Sequence, residues 1–110
     1  MMDEREFEKK YTEAFEILRK KLETLGDEHD FEVEGASGKL EILFEDEDET
    51  RFVISPNSPV RQIWISALTT SFKLAWSDAA NAFVLDKTGE TLDQVMSRIL
   101  SEKLGTPVSV

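Results

Sequence analysis

The chain has 110 residues, 40% of them hydrophobic and 33% charged, a composition that fits one folded domain around one hydrophobic core and argues against a disordered polypeptide. It contains no cysteine, so disulfides, thiolate metal ligands and a nucleophilic or persulfide-carrying Cys are excluded. The formal charge of −10 comes from residues 1 to 50, with 18 Asp/Glu against seven Lys/Arg, while residues 51 to 110 hold five against six; such a field repels nucleic acid and anionic lipid and attracts metal cations or a basic protein surface.

The N-terminal Met1-Met2-Asp3-Glu4 is acidic where a signal or transit peptide is basic, and no apolar run approaches the roughly 18 residues of a membrane span, which predicts a cytoplasmic protein. Phe7, Tyr11, Ala14, Phe15, Leu18, Leu22 and Leu25 recur at spacings of three and four, predicting a helix over residues 3–25 with Gly26 as its C-terminal cap. From residue 31 the period becomes two. Phe31 and Val33 alternate with Glu32 and Glu34, then Leu40, Ile42 and Phe44 alternate with Lys39, Glu41 and Leu43, joined by a hairpin turn at Gly35-Ala36-Ser37-Gly38.

A third strand is predicted over 50–55, with Pro56 and Pro59 bracketing a turn before a strand from Val60 to Ser66. Two more follow at 71–76 and 82–86. Helical spacing returns with Leu92, Val95, Met96, Ile99, Leu100 and Leu104, and Thr91 with Gln94 has the form of a capping box, so a second helix should cover 91–104 before a short tail. A helix, a run of strands and a helix imply an α+β fold in one domain over residues 1–110: a two-layer sandwich, both helices on one face of an antiparallel sheet of about five to six strands, the other face open to water.

Alternation on the Val60–Ser66 strand puts Ile63 and Ile65 on one face and Gln62 and Trp64 on the other. With the isoleucines in the core, Trp64 stands on the open face, where an exposed indole marks a docking surface; with the opposite parity it is core. Glu23, Asp27, Glu28, Asp30, Glu32 and Glu34 fall on the last turn of helix 1, the connecting loop and the exposed positions of the first strand. A meander returns the second strand, and with it Glu45, Asp46 and Glu47, to the same end. Crowded carboxylates repel one another and a hard cation relieves that repulsion, which suits Fe²⁺, Fe³⁺, Mn²⁺, Mg²⁺ or Ca²⁺; a merely solubilising acidic surface is the plain alternative. No Glu-x-x-His pair, calcium loop, nucleophile elbow or phosphate-binding Gly-rich loop occurs, so metal binding should be weak and multi-site, and no catalytic residue is assigned. His29 reads as an exposed loop residue.

Pro59-x-x-Gln62-Ile63-Trp64-Ile65-Ser66, Gly38-x-Leu40-x-Ile42-x-Phe44, Trp76 and Asp86-x-x-Gly89-x-Thr91-Leu92 together resemble the frataxin family, bacterial type, from about Glu6 to Leu104. The resemblance implies an iron-binding adaptor or regulator of iron–sulfur cluster assembly that contacts a cysteine desulfurase and scaffold complex. It maps an acidic iron and partner ridge to Glu23, Asp27, Glu28, Asp30 and Glu32, and a sheet contact to Gln62 and Trp64, with Lys73 as a basic sheet residue. Arg19, Lys20 and Thr24 stand where relatives often carry acids, and Leu68-Thr69-Thr70-Ser71 lacks the glycines usual before the fifth strand. A weak ferroxidase of the same family and a small acidic secretion-type chaperone without metal are the alternatives, and charge of this size favours a monomer without metal.

Overall fold

A computed structural model describes residues 2–36, 38–45 and 50–110. Helix α1 spans Glu4–His29, opened by the Asp3 carboxylate, which accepts the Glu6 amide at 2.8 Å. It buries Phe7, Phe15, Leu18, Leu22 and Gly26. The helix therefore runs one turn past the expected stop, and Gly26 is not its cap. Asp30 is: it turns left-handed at φ 57° and donates its amide to the Gly26 carbonyl. Aspartate is one of the few residues with a side chain that tolerate this conformation. Asp27 and Glu28 are consequently helical rather than in a loop, and Asp30 alone joins α1 to the first strand.

Strands β1 (Phe31–Ala36), β2 (Lys39–Phe44), β3 (Arg51–Asn57), β4 (Gln62–Ala67), β5 (Thr70–Ser77) and β6 (Ala82–Leu85) form one antiparallel sheet in chain order. The first hairpin is tighter than expected, because Ala36 pairs with Lys39. β3 continues through Pro56 to Asn57 and is followed by a 3-10 turn at Ser58–Val60, so β4 starts at Gln62 rather than Val60. Arg61, left-handed at φ 52°, explains the late start. Its guanidinium donates to the carbonyls of Met2 at 3.1 Å and Pro59 at 3.0 Å, tying the N-terminal segment to the turn. Between β4 and β5 the pair Ala67–Thr70 leaves a two-residue loop in which Leu68 and Thr69 both have positive φ, 53° and 62°.

Alternation places Leu40, Ile42, Phe44, Phe52, Ile54, Ile63, Ile65, Leu74, Phe83 and Leu85 on the face covered by the helices. Helix α2 (Leu92–Leu104) adds Leu92, Val95, Met96, Ile99 and Leu100 to the same core, and its capping box is formed by Thr91 and Gln94 in both directions. After Gly105 the chain doubles back along α2, where the amides of Val108 and Val110 each donate at 2.9 Å to Ser101 Oγ and Ser97 Oγ. No helix among the described residues covers the opposite sheet face. No helix among the described residues is long and apolar enough to cross a membrane.

Candidate functional site

Two surfaces follow from this layout. α1 delivers its last turn to the start of β1, and the register Phe31–Phe44 brings β2 back to the same place, so Glu45 returns to the end where α1 stops. Asp27, Glu28, Asp30, Glu32 and Glu45 are all exposed there. The carbonyl end of α1 points the negative pole of its dipole at the same region and deepens the field. Asp46 and Glu47, expected to join this end, lie outside the described residues.

The other two carboxylates of the expected set stand apart from this group. Glu23 sits one turn back and is paired with Arg19 at 3.3 Å. Glu34 lies farther along β1 on the uncovered sheet face, opposite Glu41, which is held between Lys39 at 3.3 Å and Arg51 at 3.7 Å. His29 is half-buried rather than freely exposed, 4.0 Å from Glu28. Among the described residues no group of three or more His, Asp or Glu side chains is placed to hold one metal ion. The acidic end therefore gathers exposed hard oxygen donors at one end of the fold without a closed coordination sphere among the described residues.

The second surface is the uncovered sheet face. Trp64 stands on it with 37% of its surface exposed, while Ile63 and Ile65 are buried on the other side. Its indole N–H donates to Gln62 Oε1 at 2.9 Å, and the Lys73 ammonium, directly across the β4–β5 pair, lies 4.8 Å from the ring centroid. Beside the indole is a hollow of about 320 Å³ lined by Val53, Ser55, Ser66, Ser71 and Lys73. Val53 and Ser55 were not singled out from the sequence; the β3–β4 register, which sets Ser55 opposite Trp64, is what reveals them. Trp76 lies on the helix side instead, edge-on to Phe83 at 5.2 Å, with its N–H bonded to Asp78.

The pattern of this chain matches the Frataxin-like domain over residues 1–106. The chain belongs to the frataxin-like family. It is 27% identical over 101 residues to the iron-sulfur cluster assembly protein CyaY of Pseudomonas fluorescens strain Pf0-1, covering 90% of each chain, and 25% identical over 100 residues to the protein of the same name from Azotobacter vinelandii, covering 89% of each. A solved frataxin from Psychromonas ingrahamii, a member of the CyaY protein family, superposes with a TM-score of 0.76 at 18% identity over 98% of this chain and 97% of that one. That likeness is one of fold: two helices on a six-stranded antiparallel sheet.

Proposed function

We propose that this frataxin-like chain acts in iron–sulfur cluster assembly as an iron-binding adaptor, taking up Fe²⁺ or Fe³⁺ weakly at its acidic end and docking on a cysteine desulfurase and scaffold complex. The exposed convergence of Asp27, Glu28, Asp30 and Glu32 at the close of α1 carries this conclusion, supported by the naming of the curated relatives for cluster assembly. Donors that are near one another but do not enclose an ion bind it loosely, and loose binding suits iron as cargo or signal rather than as a resident cofactor. Iron here is a passing ligand. The same negative field steers a basic surface toward this end, and Trp64 on the adjoining sheet face supplies an aromatic anchor of the kind that dominates interface energies.

Charge reversal tests it. Replacing Asp27, Glu28 and Asp30 together by Lys should abolish the response to iron and weaken binding to the desulfurase–scaffold complex by more than tenfold, with the fold intact by amide dispersion. Undiminished binding of both would remove the acidic end from the function.

A further inference from the structure

Gln62 and Trp64 are two residues apart on β4, so both side chains rise from the uncovered face. An indole on an open sheet normally has its N–H to offer to a partner and two side-chain torsions to settle on binding. Here the N–H already has an acceptor and the ring already has a neighbour across the strand pair. The N–H is taken by Gln62 Oε1 at 2.9 Å, and Lys73 rests against the ring at 4.8 Å from its centroid.

We infer that Gln62 is a positioning residue that acts through Trp64: with Lys73 it holds the indole as one wall of the hollow formed by Val53, Ser55, Ser66 and Ser71, and the partner meets the carbon surface of the ring rather than its N–H. This rests on the docking role proposed for Trp64. The three serines are short, so the space beside the held ring stays open to receive one side chain. If the ring swings away, the hollow loses its wall. Lys73 has no carboxylate within ion-pair distance among the described residues, so its ammonium is left to meet an acceptor on the partner at the rim of the same hollow. Preorganisation of this kind lowers the ordering cost of binding without adding a contact.

The test uses the two indole N–H signals of the full chain in ¹⁵N-labelled form, with Trp76 as the internal reference because its N–H has a separate acceptor in Asp78. Gln62→Leu keeps the bulk and removes the acceptor; Gln62→Glu keeps the acceptor. Exchange of the Trp64 indole N–H should rise about fivefold in Gln62→Leu, the factor an ordinary hydrogen bond is worth, and stay near wild type in Gln62→Glu, while Trp76 does not change. Affinity for the desulfurase–scaffold complex should fall with Gln62→Leu by a similar factor. Unchanged Trp64 exchange in Gln62→Leu, or faster exchange with undiminished affinity, overturns the inference. A Trp64→Ala chain that binds as well as wild type overturns the docking role instead, and the exchange rates then decide the positioning by themselves.

Discussion

A β-carbon added at Gly26 would stand 2.5 Å from the carbonyl oxygen of Phe31 and 3.3 Å from its ring, so helix α1 and strand β1 meet at a corner that only glycine fills. Helix propensity alone favours alanine over glycine by about 1 kcal/mol. The contact is with backbone, which cannot rotate aside, and overpacking of this sort costs about 1–3 kcal/mol. Set against the helix gain, Gly26→Ala should destabilise the fold by up to about 2 kcal/mol, read as a lower urea midpoint at unchanged slope. A stabilised variant would mean that the corner yields.

Trp64 and Phe52 make a matched pair for separating docking from folding. Phe52 is fully buried and Trp64 is not. Phe52→Ala should cost about 3–5 kcal/mol, the usual penalty for emptying a core aromatic site. Trp64→Ala removes a cation–π contact and some strand packing, about 1 kcal/mol, yet should weaken binding to the desulfurase–scaffold complex at least tenfold. Equal stability losses for the two would place the indole in the core in energetic terms.

The β4–β5 loop carries local strain. Leu68 and Thr69 both sit in the left-handed region, where a β-branched side chain is especially disfavoured and two-residue hairpins prefer glycine. Leu68 is partly buried against the core and is best left alone. Thr69→Gly should stabilise the fold by about 1 kcal/mol despite losing the Thr69 hydroxyl bond to the Leu68 carbonyl, and thermal unfolding reads it directly. No gain would show that the loop tolerates threonine without cost.

Arg98 donates to Glu90 at 2.9 and 3.0 Å, and these bonds, with a further one from Thr88, hold the Glu90 carboxyl below its ordinary value. A lowered folded-state value means that the charged form favours folding. Its contribution is fully present above the unfolded-state value of Glu90 and disappears as pH falls through the folded-state one. Glu90→Gln should thus cost a few tenths of a kcal/mol at neutral pH, because the pair is partly exposed, and the gap to wild type should close toward acid. A gap that is constant with pH would contradict the assignment.

The meander, both helices, the capping box at Thr91 and the outward parity of Trp64 were legible because period-two and period-three-to-four spacing report burial directly. Gly26 misled: a glycine at the end of a helical run reads as a cap, whereas the real cap is Asp30 and the glycine answers to a contact with Phe31 that no local pattern encodes. Arg61 displaced the start of β4 for a related reason, since its left-handed turn is tied to Met2, distant in sequence. The carboxylates of the acidic end could be counted from the sequence, but their neighbours could not, because Arg19 engages Glu23 and because the β1–β2 register sets Glu34 opposite Glu41.

Anaerobic titration of the ¹⁵N-labelled chain with Fe²⁺ addresses the central claim most directly. Amide signals from Asp27 to Glu32 and at Glu45 should shift or broaden first and together, saturating weakly, while those of Trp64, Lys73 and the β5–β6 hairpin hold still. Signals that stay unmoved at the close of α1, or that respond evenly over the whole surface, would contradict an iron-binding acidic end.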